Sequence, residues 1–232
     1  MNSLLATPLP SSEFHAMYQE SFRAIDGLVD IFILIRGMNS LLRSSDEELR
    51  NGPLKGLLNG CDCPAFGDDG LLKTLASKLG DLLPAIQDQS PLLDTEEGLC
   101  ADTIAGFIET ISRVTSSPKA TPTPELRVIF AWPMGLSNTF LSLLRGFNPL
   151  ALVILSYYCV LLHSRESKCW FLRGWTNVLM KVVMADVGGT QWEGLMQWPL
   201  QIMREKDKEK ETETAEEHPE PHAVQEGAYP TC

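Results

Sequence analysis

This sequence has few histidines and few basic residues. Its 232 residues include four histidines, and 19 lysines and arginines stand against 30 acidic residues, for a formal net charge of −11. Direct binding of DNA or RNA needs a basic patch, so this balance argues against it. No Gly-x-Ser-x-Gly, phosphate-binding loop or His-Glu-x-x-His motif is present either. The sequence therefore predicts a protein that is not an enzyme and that uses no cofactor.

Signals of secretion are also lacking. There is no Asn-x-Ser/Thr site, and the first residues have neither a basic start nor a long apolar stretch. The six cysteines show no spacing typical of a disulfide framework. These features predict an intracellular protein, in the nucleus or the cytoplasm.

Two short patterns resemble metal sites but depart from them. Cys61-x-Cys63 is shorter than the two-residue gap usual in zinc sites, and no second pair accompanies it. His218 and His222 are four residues apart, but Pro219 and Pro221 lie between them in a charged tail. We therefore predict free loop thiols and no metal site.

The spacing of apolar residues predicts an all-α fold. Apolar residues recur at helical intervals from Phe14 to Leu42, from Leu71 to Leu83, from Leu99 to Val114 and again beyond residue 148, and no segment has a clear strand pattern. The first of these helices is either continuous or broken near Gly27. We predict a single helical bundle of about seven helices over residues 12–203, after a disordered N-terminus over residues 1–11. Residues 204–232 are so polar that we predict a disordered acidic tail with at most a frayed helical start.

The longest apolar run, NPLALVILSYYCVLLH, extends from Asn148 to His163. It could be a membrane span, a buried core helix or the wall of a pocket for an apolar ligand. Asn148 is a suitable N-cap and Pro149 suits the first helical position. The remaining ~14 residues would make roughly 21 Å of helix, which is too short for the ~30 Å core of a bilayer. We therefore predict no membrane span and place this helix at the centre of the bundle.

Two Trp-Pro pairs, Trp132-Pro133 and Trp198-Pro199, each follow an apolar segment. The tryptophans and tyrosines around them either fill the core or line a cavity, and the sequence leaves both interpretations open. His163 likewise either caps the apolar helix or forms a polar contact at the mouth of a pocket.

Residues 127–203 resemble the C-terminal regulatory domain of fungal zinc binuclear cluster (Zn2Cys6) transcription factors, of the sterol uptake control type. That family has a Phe-x-Trp-Pro element, a Pro-Leu-Ala-Leu-Val-Ile-Leu helix, a Trp-rich helix and a final Trp-Pro. The matching segments in this chain are Phe130–Pro133, Asn148–Tyr158, Cys169–Trp175 and Trp198-Pro199. The segment FILIRGMNSLL, residues 32–42, resembles an earlier Arg-Gly helix of the family.

The resemblance implies a regulatory domain that senses a sterol or a similar hydrophobic ligand and controls RNA polymerase II transcription of sterol-related genes. It also implies self-association, as a homodimer or as a heterodimer with a related transcription factor. The expected ligand contacts are aromatic, with one polar partner for a sterol hydroxyl. The candidates are Phe130, Trp132, Ser156, Tyr157, Tyr158, His163, Trp170 and Trp175.

Two departures from the family qualify this expectation. None of the six cysteines has the zinc-cluster spacing, so this chain is not expected to bind DNA itself. The helices that usually precede the Arg-Gly helix have no counterpart, which suggests a fragment, a truncated gene model or a stand-alone paralogue. The alternative to a sensor is a helical module for protein interaction or dimerisation that binds no ligand, or a truncated paralogue without function.

Overall fold

The computed structural model describes residues 11–52, 70–87, 96–116 and 123–217, with most of the side chains between residues 24 and 208. These residues contain helices but no strand, which confirms the predicted all-α fold. The α-helices in chain order are α1 (Ser11–Ser44), α2 (Asp46–Asn51), α3 (Gly70–Gly80), α4 (Leu82–Gln87), α5 (Glu96–Thr115), α6 (Pro124–Met134), α7 (Asn138–Arg145), α8 (Pro149–Arg165), α9 (Trp175–Val187) and α10 (Gln197–Glu217). Short 3-10 turns cover Trp170–Leu172 and Glu193–Met196.

Helix α8 begins as the sequence predicts. The side-chain oxygen of Asn148 accepts hydrogen bonds from the backbone N–H groups of Leu150 and Ala151, both at 3.1 Å. Pro149 occupies the first helical position, where a missing N–H leaves no bond unmade. Every residue from Leu150 to His163 is buried, which means that protein covers all faces of α8. This coverage explains why α8 can be apolar on every side.

The other helices surround α8. Helix α9 packs against it most extensively, and α5, α6, α7 and α10 also contact it. Helix α1 packs across α6, α7 and α9, while α3 and α4 lie against α5. The middle of α1 contributes Ile25, Val29 and Phe32 to the core, all with less than 2% exposure. One apolar cluster therefore runs through the bundle, with α8 at its centre.

The sequence left the long N-terminal helix either continuous or broken near Gly27, and the structure has the continuous form, because α1 runs from Ser11 to Ser44. One expectation for a helix was wrong. The apolar spacing over residues 167–187 predicts a single helix with Trp170, Leu179, Val182 and Val183 facing inward, but the α-helix begins only at Trp175, since Gly174 has a φ of 82° that ends the preceding turn. Trp170 consequently does not face the core and is 79% exposed.

The C-terminal helix extends beyond residue 203, the predicted end of the domain. Helix α10 continues from the bundle to Glu217, so the helical start that the sequence allows for the acidic tail covers residues 204–217. Residues 218–232, and with them His218 and His222, lie outside the described residues. The same holds for residues 1–10 and for Cys61 and Cys63.

None of the described helices alone is long and apolar enough to cross a bilayer, although α7 and α8, bent by 99° at their junction, pass that test as a pair on length and composition.

Candidate functional site

Tyr158 binds a carbonyl that a proline leaves without a helical partner. In an α-helix the carbonyl of residue i accepts from the N–H of residue i+4. The partner of the Ile129 carbonyl in α6 would be residue 133, which is Pro133 and has no N–H. The Tyr158 hydroxyl donates to this Ile129 oxygen at 3.0 Å, in a fully buried position. The tyrosine therefore satisfies an acceptor that would otherwise be buried and unpaired.

Tyr157 makes a related hydrogen bond near the second Trp-Pro pair, where its hydroxyl donates to the Leu195 carbonyl at 3.1 Å. Leu195 lies in the 3-10 turn before α10, and Pro199 lies in the first turn of α10, where a proline removes no helical hydrogen bond. Helix α8 thus places two consecutive tyrosines toward different neighbours, Tyr158 toward α6 and Tyr157 toward the 3-10 turn before α10. We call these two arrangements the Tyr–Pro docks, at Tyr158 with Pro133 and at Tyr157 with Pro199.

The tryptophan of each Trp-Pro pair packs against the tyrosine of the same dock. The rings of Trp198 and Tyr157 stack at a centroid distance of 5.4 Å, and those of Trp132 and Tyr158 lie 5.0 Å apart. Phe107 of α5 stacks on Trp132 at 4.4 Å, and Phe32 of α1 meets Tyr158 edge-on at 5.5 Å. Contacts of this kind contribute about 0.5–1.5 kcal/mol beyond area burial. The Tyr158 dock therefore joins α1, α5, α6 and α8.

The other polar candidates on α8 also have partners within the chain. The Ser156 hydroxyl donates to the Val153 carbonyl at 2.6 Å. The His163 ring lies between two carboxylates, with its Nε2 at 3.0 Å from Asp207 Oδ1 of α10 and its Nδ1 at 3.7 Å from Glu166. His163 thus lies at the C-terminal end of α8, the capping position that the sequence offered as one of two interpretations.

A buried ion pair joins the end of α8 to the start of α6. The Arg165 guanidinium contacts the Glu125 carboxylate, and both side chains are almost fully buried. Glu125 is in the first turn of α6 and Arg165 in the last turn of α8, so each charge also complements the dipole of its own helix. Glu166 accepts a hydrogen bond from the Thr176 backbone N–H at 3.1 Å and thereby fixes the start of α9.

The three remaining aromatic candidates lie away from the docks. Phe130 and Trp170 are exposed, and both contact Phe171, with ring centroids 6.3 Å and 5.9 Å from it. Trp175 is half-buried against α1, where its ring lies 3.9 Å from the position of a Cβ on Gly27. The structure therefore separates the eight predicted contact residues. Trp132, Tyr157 and Tyr158 belong to the docks, Ser156 is buried in the middle of α8 and His163 lies at its end, Trp175 packs against α1, and Phe130 and Trp170 are exposed.

Two clefts on the described part of the bundle are large enough to hold small molecules or water. One of about 230 Å³ lies between α5 and the turn after α6, and its lining includes Asp102, Thr110 and Trp132. The other, of about 360 Å³, lies between α9 and α10 beside Met184, Val187 and Leu200. Drug-sized ligands occupy pockets of roughly 300–1,000 Å³. Of the eight candidates only Trp132 lines either cleft, so these clefts do not bring the candidates together.

Burial makes the phenols and thiols around α8 hard to ionise. Desolvation raises the pKa of Tyr158 well above its ordinary value, and it does the same for Tyr157. Burial also raises the pKa of the Cys159 thiol, and that of Cys100 to about 12, where Glu97 and Glu96 add to the effect. These groups are therefore neutral near pH 7, and their thiols are poor nucleophiles. Among the described residues, no group of three His, Cys, Asp or Glu side chains is arranged to hold a metal ion.

The docks could have been predicted in part from the sequence. A proline inside a helix, such as Pro133, indicates an unpaired carbonyl four residues earlier, and a buried tyrosine needs a hydrogen-bond partner. Only the three-dimensional packing shows which tyrosine reaches which carbonyl.

No family model, no curated protein and no solved structure matches this chain.

Proposed function

We propose that this chain is a non-enzymatic helical regulatory module of the fungal zinc-cluster transcription factor type, which acts through a protein partner rather than by capturing a sterol. The resemblance over residues 127–203 supports the regulatory part of this proposal. The partner carries the DNA-binding module, because this chain lacks the cysteine spacing of a zinc cluster.

The observation that carries the proposal is the internal use of the polar groups on α8. A sterol hydroxyl needs a partner, and the expected partners were Ser156, Tyr158 and His163. The Ser156 and Tyr158 hydroxyls donate to backbone carbonyls, and His163 lies against Asp207. Redirecting Tyr158 toward a ligand would leave the Ile129 carbonyl unpaired, at a cost of about 1–3 kcal/mol.

The motifs that carry the resemblance have a structural explanation in this chain. Trp132-Pro133, Tyr157-Tyr158 and Trp198-Pro199 are the components of the two docks, so their spacing is accounted for by packing. The function is then expected on the outer surface of the bundle, where apolar side chains are exposed on α1 and in the aromatic group of Phe130, Trp170 and Phe171.

A tethering experiment tests the proposal. The full chain is fused to a heterologous zinc-cluster DNA-binding module, and transcription of a matching reporter is measured in fungal cells with normal and depleted sterol. We expect the fusion to change transcription relative to the DNA-binding module alone, to the same extent under both conditions. No change would contradict a regulatory role, and a change that disappears on sterol depletion would favour the sensor instead.

A further inference from the structure

The second half of α1 exposes an apolar stripe. Side chains on the core-facing side end at Ile35, whereas Ile31, Leu34, Met38, Leu41 and Leu42 project from a different side and are exposed. At 100° per residue these five lie within about one quarter to one third of the helix circumference. We call them the α1 stripe. Toward the N-terminus the same side of α1 reaches Gly27, which lies against Trp175 of α9, so the exposed stripe begins at Ile31.

The exposed area of the α1 stripe equals that of the largest apolar patch on many monomers. The exposed fractions of the five side chains range from 37% at Ile31 to 69% at Leu41, which corresponds to roughly 500 Å² of mainly apolar surface. That value is near the upper end for the largest apolar patch on a typical monomer, ~300–600 Å². Two such stripes in contact would bury about 1,000 Å², the lower limit for a specific protein interface.

The spacing of the stripe fits a second copy of itself. Ile31, Leu34, Met38 and Leu41 are separated by three, four and three residues. This series reads the same in both directions, so an antiparallel copy of α1 would present apolar side chains in matching register. Such a contact is self-complementary and closes as a two-fold dimer. When the two helices are centred on residue 36, Leu34 faces Met38 of the second copy, and Ile31 faces its Leu41.

Gly37 adds an independent observation. A glycine inside a helix costs roughly 0.5–1 kcal/mol relative to alanine. Gly37 lies beside Leu41 on the helix surface, and nothing lies within 4 Å of the Cβ that it lacks. The fold of one chain therefore does not require a glycine there, and the small residue leaves space at the Leu41 edge of the stripe for a second helix.

We propose that the α1 stripe is the homodimer interface of this protein, formed by two antiparallel α1 helices about a two-fold axis. This inference rests on the proposed role as an interaction module and identifies its first partner as a second copy of the chain.

Sedimentation equilibrium of the full chain over about two decades of concentration tests the interface. We expect a monomer–dimer equilibrium whose Kd rises at least about tenfold in Leu34→Glu with Leu41→Glu, because two charges would be buried at the contact. Ile33→Glu is the matched control, since Ile33 is 44% exposed on the same helix but lies outside the stripe. We expect its Kd to stay within about threefold of the parent value.

Cross-linking tests the register without a destabilising charge. In a background with Cys61, Cys63 and Cys232 replaced by serine, a mixture of Leu34→Cys and Met38→Cys chains should form a disulfide dimer on oxidation. Neither variant alone should do so as readily. A chain that is monomeric throughout, a Kd unaffected by the stripe charges, equal effects of Ile33→Glu, or preferential same-residue cross-links would each overturn the proposal. A monomeric chain that still alters reporter transcription in the tethering experiment would overturn only the interface and leave the proposed function standing.

Discussion

Replacing Tyr158 by phenylalanine removes only the hydroxyl group, and this loss should destabilise the protein. The ring keeps its contacts with Trp132 and Phe32, but the Ile129 carbonyl loses its donor in a fully buried position. An unsatisfied buried acceptor costs about 1–3 kcal/mol. For a chain of this length, each kcal/mol lowers Tm by about 2–4 °C.

The same change should cost much less when Pro133 is also replaced. In Pro133→Ala the backbone N–H of residue 133 is restored and can donate to the Ile129 carbonyl within α6. Tyr158→Phe then removes a donor that the carbonyl no longer needs. We expect a cost below about 1 kcal/mol in that background, and therefore a coupling energy of about 1–2 kcal/mol between the two positions.

A double-mutant cycle measures this coupling. Unfolding of the four proteins in urea is followed by far-ultraviolet circular dichroism. The free energies of unfolding are compared using one common m-value, the dependence of the free energy on urea concentration. Equal costs of Tyr158→Phe in both backgrounds, within about 0.5 kcal/mol, would refute the reasoning about the proline. Tyr157→Phe with Pro199→Ala is the control cycle, in which we expect a coupling below about 0.5 kcal/mol, because Pro199 lies in the first turn of α10 and its replacement restores no helical hydrogen bond to Leu195.

Three further predictions concern the ends of α8 and its buried groups. Asn148→Ala should cost about 1 kcal/mol of stability in urea denaturation, because two N–H groups lose their cap, whereas Asn148→Ser should retain most of it. Arg165→Met should cost about 3–5 kcal/mol by leaving the Glu125 carboxylate buried without its partner, and adding Glu125→Met should recover most of that loss; an unrecovered loss would indicate that packing dominates. Stability should fall as pH rises above ~8.5, since the unfolded state releases the thiol protons of Cys100 and Cys159 while the folded state, in which their pKa values are raised, retains them. We expect a decrease of about 2 kcal/mol between pH 7.5 and 9.5 in urea midpoints, which should shrink in Cys100→Ala with Cys159→Ala, and a flat profile would contradict the assignment.

The sequence predicted the centre of the fold well because the signals there are local. Asn148 and Pro149 determine the start of α8 through capping chemistry, and the absence of charge as far as His163 predicts burial on all sides. The structure confirms both features. Apolar spacing likewise placed Leu179, Val182 and Val183 of α9 on the buried side.

The sequence was less informative where one residue overrides a pattern. Gly174 adopts a positive φ, so the apparent helix from Cys169 is divided and Trp170 turns outward. Apolar spacing along α1 could not distinguish the buried residue Phe32 from the exposed residue Leu34, since it does not reveal how many partners a helix has. For the candidate site, composition identified the aromatic residues, but which hydroxyl met which carbonyl depended on packing between distant segments.

Titration of the folded chain with a fluorescent sterol tests the central claim most directly, namely that the two docks use the tyrosines of α8 for structure rather than for a ligand. The parent protein and Tyr158→Phe are compared after circular dichroism has shown that both melt cooperatively. We predict no saturable binding to either protein. Saturable binding to the parent that is lost in Tyr158→Phe would contradict the account and assign Tyr158 to a sterol site.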